Sequence, residues 1–167
     1  MPSIRIQKES TAGYYYLTLT VRNWYYIFDR YNRFDILGKA LMYCKERKGL
    51  KIYAYVFMLN HIHLLISSED TIGFVRDFKR HTTRELLNNM LSTEPNALKL
   101  FETETGGHEF WARTNMPKAV ESEFFLLQKI EYIQNNPVRK GYVKRPEYWI
   151  WSSANPESEV FIDLLPV

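Results

Sequence analysis

Lys51-Ile52-Tyr53-Ala54-Tyr55-Val56-Phe57-Met58, a break at Leu59-Asn60, and then His61-Ile62-His63-Leu64-Leu65-Ile66-Ser67 form the stretch that decides the fold. Both halves are rich in β-branched and aromatic residues, and so short a break joins antiparallel neighbours, so the segment predicts a β-hairpin. Upstream, Tyr14 to Val21 alternates Leu17, Leu19 and Val21 with Thr18 and Thr20, the pattern of a strand with one apolar face. Between the two, from about Asp29 to Gly49, Phe34, Leu37, Leu41 and Cys44 recur at helical spacing with Lys39, Lys45, Arg47 and Lys48 off the stripe. Downstream, Thr71 is the expected N-cap of a second helix running to about Leu91, with Ile72, Val75, Phe78, Thr82 and Leu86 on one side. Ser92 to Gly107 reads as a loop with a short element at Ala97 to Phe101, and Trp111 to Val120 as the place of a further strand. Ser122 caps a third helix from Glu123 to about Asn135, where Pro137 is expected to stop it. The last thirty residues are turn-rich, with Gly141, Pro146, Pro156 and Pro166. This order implies an α+β fold, a ferredoxin-like or RRM-like antiparallel sheet with helices packed on one face.

A chain of 167 residues, 46% hydrophobic and 25% charged, suits one domain over 1–167, with a core at about 14–154 and a turn-rich tail at 155–167. That composition excludes a disordered tail, and the length excludes a large barrel enzyme. Lys plus Arg number 22 against 19 Asp plus Glu, and the resulting +3 permits an acidic partner such as nucleic acid without demanding one. The one cysteine, Cys44, makes no internal disulfide and reads as a small core residue. No apolar run approaches the roughly 18 residues of a membrane helix, and Met1 to Ser10 holds no stretch of signal-peptide type, so a cytoplasmic protein with no membrane partner is expected. Aromatic residues make up 16% of the chain, enough for a core with rings left over to stack on bases.

His61 and His63 stand two apart on a strand, so their side chains point to one face and both imidazoles could grip one divalent ion. Two polar residues on a solvated face would give the same spacing, and a pair alone supplies only two ligands. On the last helix Gln128, Tyr132 and Asn136 fall at i, i+4 and i+8 and place a phenol between two amides. An amide oxygen can ligate a hard cation such as Mg2+ or Mn2+, while an ordinary amphipathic helix also carries a tyrosine with one edge in the core.

Three motifs in order carry a resemblance: Asn60 to Ile66, then Glu131-Tyr132-Ile133-Gln134-Asn135-Asn136-Pro137-Val138-Arg139-Lys140-Gly141-Tyr142-Val143, then Trp149-Ile150-Trp151-Ser152-Ser153-Ala154. Together they resemble the single-tyrosine HUH transposases of insertion sequences, especially the REP-associated tyrosine transposase branch, over roughly Tyr14 to Ala154. The resemblance maps the family's histidine pair to His61 and His63, its nucleophile to Tyr132 and its third metal position to Asn136, where some relatives carry Gln. Met58-Leu59-Asn60 stands where relatives often have Met-Pro-Asn.

The resemblance implies a metal-dependent enzyme, with Mg2+ or Mn2+, that cuts and rejoins single-stranded DNA through a covalent 5′-phosphotyrosine. A free tyrosine, with a pKa of about 10, is a poor nucleophile at neutral pH unless its target is polarised, which a cation on these ligands would do. No residue stands out as a general base. Single-stranded DNA that forms hairpins is the expected partner. Arg76, Arg80 and Arg84, in a row with Lys79 beside it, and Arg139, Lys140, Lys144 and Arg145 after the tyrosine helix are the candidate phosphate contacts. A solvated helix face would explain the first row equally. Monomer and homodimer both remain open, since some relatives pair by strand addition and exchange tyrosine helices.

Other His-x-His proteins fit less well. Histidine-triad hydrolases want a third histidine where Leu65 stands, a cupin using His61, His63 and Glu69 would be nearly all strand, and barrel amidohydrolases need a longer chain. The stronger alternative is a transposase-derived protein that binds single-stranded DNA, or regulates, without cutting it.

Overall fold

The computed structural model describes residues 13–115 and 117–165. The N-terminal ten residues read for a leader, and Pro166, lie outside the described residues. Four strands, β1 (Gly13–Thr20), β2 (Lys51–Phe57), β3 (His61–Ser68) and β4 (Lys118–Ala119), form one antiparallel sheet in the order β2-β3-β1-β4. Three helices, α1 (Arg33–Lys48), α2 (Thr71–Thr93) and α3 (Glu123–Arg139), complete the α+β fold. The expected late strand is only two residues long and pairs with Tyr15 and Tyr16. The short element at Ala97–Phe101 is a turn of 3-10 helix.

Period-two alternation sorts the sheet into two faces. Leu17 and Leu19 of β1, Val21 just beyond it, and Ile62, Leu64 and Ile66 of β3 pack under α1 and α2, whose Leu37, Leu41, Cys44, Phe78 and Leu86 are buried against them. On that face the expected layout holds. The third helix departs from it and covers the opposite face, where Ile133 packs on Tyr16, Tyr53, Ala54, Val56 and Leu65. The reason lies in the strands, since β2 and β3 carry apolar residues on both faces and a sheet left bare on one side would expose them to water. A bulge between Ile52 and Ala54 puts Tyr53 and Ala54 on the α3 side while Ile52, Tyr55 and Phe57 stay on the other.

Element ends differ from the sequence pattern for local reasons. The first helix begins at Arg33, not Asp29, because Tyr31 and Asn32 are left-handed, with φ of 54° and 60°. Arg33 is fully buried and donates to Ile27 O, Asn89 Oδ1 and Thr93 Oγ1, with Glu94 beside it at 2.7 Å. Asp70, not Thr71, caps α2, its Oδ1 accepting from Gly73 N at 2.8 Å. Ser122 caps α3 as expected. Pro137 does not end that helix, which runs one turn further to Arg139. Bonds from Lys140 N to Asn136 O and from Tyr142 N to Pro137 O close the last turn before Gly141 turns away at a φ of 77°. The C-terminal segment is built into the molecule. Trp151 O accepts from Phe57 N and Asp163 N donates to Ile52 O along the outer edge of β2, and Val160 is buried in the main core.

Candidate active site on the outer face of the sheet

The register decides which residues meet. Thr18 of β1 lies opposite His63 and Tyr16 opposite Leu65, so Tyr16 and Thr18 share the histidine face. Tyr16 Oη lies 2.9 Å and Thr18 Oγ1 3.0 Å from His63 Nδ1. Asn60 Nδ2 donates to Trp24 O, which turns its Oδ1 towards His61 Nδ1 at 2.8 Å, so this nitrogen carries the proton and donates. With both Nδ1 atoms held, Nε2 of each ring is the nitrogen open to a ligand. The ring centroids of His61 and His63 are 4.8 Å apart.

Burial shifts both imidazoles down, His61 to about 4 and His63 to about 3, with the charge of Lys140 adding to the first and those of His61, Arg139, Lys129 and Lys140 to the second. Both are therefore neutral at pH 7, as a metal ligand must be. Burial pushes the Tyr16 phenol up to about 12, so it stays protonated beside His63.

Within the same chain α3 lays Tyr132 edge-on to His63, with centroids 5.8 Å apart, and to Tyr16 at 6.2 Å. Tyr132 is 42% exposed, open enough to meet a substrate. Two cations flank it. The Arg139 guanidinium lies 4.0 Å over its ring and donates to its carbonyl, and Lys129 Nζ stands 5.5 Å from the ring centroid and 4.6 Å from that of Tyr16. One turn beyond Tyr132, Asn136 is buried and its Oδ1 has no hydrogen-bond partner. An orphaned buried oxygen is costly to leave unmet, and Asn136 follows Tyr132 by one helical turn, on the same side of α3. No group of three or more His, Cys, Asp or Glu converges among the described residues. The Asn136 amide oxygen is a donor of the kind that suits a hard divalent cation.

The sequence matches the IS200-like transposase family over residues 10–136. The chain belongs to that family. Among relatives of this IS200-like transposase, a Haemophilus influenzae protein provisionally named REP-associated tyrosine transposase is 26% identical over 148 residues, covering 85% of this chain and 80% of that protein. A solved REP-associated tyrosine transposase bound to a REP hairpin shares the fold at a TM-score of 0.68 and 20% identity, covering 92% of this chain and 82% of that one. No helix among the described residues is long and apolar enough to cross a membrane.

The other residues singled out in the transposase sequence fall in three places. Gln128 is exposed one turn before Tyr132, so its row runs from solvent to the buried Asn136. Lys140 lines a cleft with His61, while Lys144 is exposed and Arg145 pairs with Glu147 at 2.7 Å. Arg76, Arg80 and Arg84 are exposed on α2, across the sheet from Tyr132, with Arg76 on Asp77 and Arg84 near Glu85. Lys79 is turned away from them, its Nζ on Ala112 O at 2.8 Å, and burial lowers its pKa to about 8. His81 lies on α2 with Arg84 at 3.1 Å, and His108 pairs with Glu102, so neither joins the histidine pair. Sequence reasoning missed Tyr16, Thr18 and Lys129. Only Asn60, adjoining the histidine motif, carried a signal that could have found it.

Proposed function

We propose that the chain cuts and rejoins single-stranded DNA with Tyr132 as the nucleophile, and that His61, His63 and Asn136 hold Mg2+ or Mn2+. The observation that carries this reading is the approach of Tyr132 to His63 within one chain, 5.8 Å between ring centroids. When bound, the cation polarises the scissile phosphate. Tyr132 Oη attacks phosphorus, and the Oη–P bond forms as the P–O3′ bond breaks. The phenol proton passes to solvent and the departing 3′ oxygen takes one up. Arg139 and Lys129, 4.0 and 5.5 Å from the ring centroid, attract the phosphate to the attacking oxygen and offset the charge that develops there. The phosphotyrosine is still a diester, so a 3′ hydroxyl of another strand reverses the step with little change in energy. His61 and His63 stay oriented through Asn60, Tyr16 and Thr18.

Arg139, Lys140, Lys144 and Arg145 receive the phosphates next to the cut. Arg76, Arg80 and Arg84 serve a more distant stretch of backbone. Lys79 adds little to them because its ammonium is already engaged with Ala112 O. Gln128 borders the approach to Tyr132. The solved relative is bound to a REP hairpin, so hairpin-forming single strands are the first substrates to try. One chain supplies every group named, whether or not two copies pair as a homodimer.

The test incubates the protein with labelled hairpin DNA in Mg2+, in Mn2+ and in EDTA, beside Tyr132→Phe. A covalent protein–DNA band that needs metal and is absent in Tyr132→Phe is expected. A band that persists in Tyr132→Phe overturns the nucleophile, and DNA shifted on a gel with no covalent band on any hairpin turns the reading to a binding protein.

A further inference from the structure

The histidine that faces Tyr132's neighbour also forms one wall of a cleft of about 420 Å³, lined by Trp24, Tyr26, Asn60, His61, Lys140 and Tyr142 among others. Three of these rings are presented to solvent, Trp24 at 67%, Tyr26 at 56% and Tyr142 at 42% exposure. Trp24 and Tyr26 keep more than half of their surface in water, and together with Tyr142 they converge beside a cation and a candidate metal ligand.

Each wall is held in place. Trp24 follows Asn23 in a left-handed turn, with φ of 61° and 58°, a conformation a bulky residue keeps only when its surroundings impose it. Trp24 N donates to Val21 O at 3.0 Å, and Trp24 O accepts from Asn60 Nδ2, the same amide that orients His61. Across the cleft Tyr142 stacks on Trp149 at 5.6 Å and an interplanar angle of 23°, and Trp149 Nε1 donates to Phe57 O. Lys140, exposed between Tyr142 and His61, gives the cleft a positive charge.

We infer that this cleft is a stacking site for an unpaired nucleobase next to the scissile phosphate, with Trp24 as its platform and Lys140 on the adjoining phosphate. The inference rests on the reading of the chain as a nuclease of single strands and adds where the strand is held. Flat apolar walls suit the π-face of any base, the cation suits the backbone, and the shared His61 wall makes the cleft continuous with the site of cutting. A partner protein would need a larger apolar face, whereas a base needs only the rings that are present.

The experiment uses the full chain and hairpin DNA in which each nucleotide flanking the cut is replaced in turn by an abasic one. The wild-type protein is expected to bind one such oligonucleotide about tenfold more weakly than the intact strand, the value of one base–aromatic stack. Trp24→Ala should show the same loss on intact DNA and no further loss on the abasic strand, and Trp24→Phe should restore the difference. Far-ultraviolet circular dichroism checks that the variants are folded. If wild type binds every abasic strand as it binds the intact one, or Trp24→Ala keeps full affinity, the inference is overturned, even where the Tyr132 adduct still forms. Loss of the adduct with the abasic penalty intact overturns the nuclease reading and leaves the base site standing.

Discussion

His61 and His63 are polar residues placed where the sheet would otherwise bury apolar ones, and their protonation sets an acid limit on the fold. Unfolded imidazoles take up protons as pH falls through about 6.5, while the folded ones stay neutral until about 4 and about 3. In that window the unfolded state binds more protons, so stability must fall as pH falls. The slope approaches about 1.4 kcal/mol per pH unit for each histidine. Urea unfolding in EDTA between pH 7 and pH 4 should show this decline, and the double change His61→Gln, His63→Gln should flatten it. Asp77, held at about 2 by Lys48 and Arg76, acts only below this window and does not confuse the measurement. At this scale the sequence made the pair itself legible, because alternation along a strand is local. It did not reveal Tyr16 and Thr18, whose part depends on a register that brings together residues 45 and 47 positions apart in the chain.

Among the elements, α1 shows propensity and packing pulling in opposite directions at Gly38. Alanine there would favour the helix by about 1 kcal/mol. Its Cβ, however, would lie 2.9 Å from Cζ3 of Trp151, a ring stacked on Phe57 at 5.6 Å and packed on Phe34 at 5.8 Å, with little room to yield. Overpacking of this kind costs about 1–3 kcal/mol, so Gly38→Ala should be less stable by about 1 kcal/mol, read from the urea midpoint. A gain in stability would show that Trp151 moves freely. Helical periodicity exposed the buried stripes of the first two helices but not Ile133 of the third, and the Ser122 cap was readable because the capping residue sits beside the turn it serves. The ends of α1 and α3 were not. Left-handed Tyr31 and Asn32 delay the first, and Pro137 is carried inside the third because Asn136 beneath it is buried and later backbone bonds close the turn.

For the whole molecule, the tail is where sequence and structure part most. Turn residues from Gly141 onward suggest a loose end, yet Val160 is buried in the main core and Asp163 sits beside Lys45 and Lys51 at 3.2 and 3.8 Å while its N–H donates to Ile52 O. Val160→Ala should therefore cost about 2 kcal/mol, the loss of two buried methyls and the space they leave, and a midpoint shift near zero would mean the tail is detached in solution. Short-range patterns by themselves determined the strands, the helices, the antiparallel hairpin and the order of motifs that places the chain among the IS200-like transposases. Alternation, helical spacing and capping all act within a few residues. Only the tertiary structure decided that α3 crosses to the histidine face, that Tyr132 meets His63 in the same chain, that Arg139 lies on the tyrosine ring and that the α2 arginines lie across the sheet from it. Those placements follow from covering a sheet that is apolar on both sides, a demand that no single segment carries.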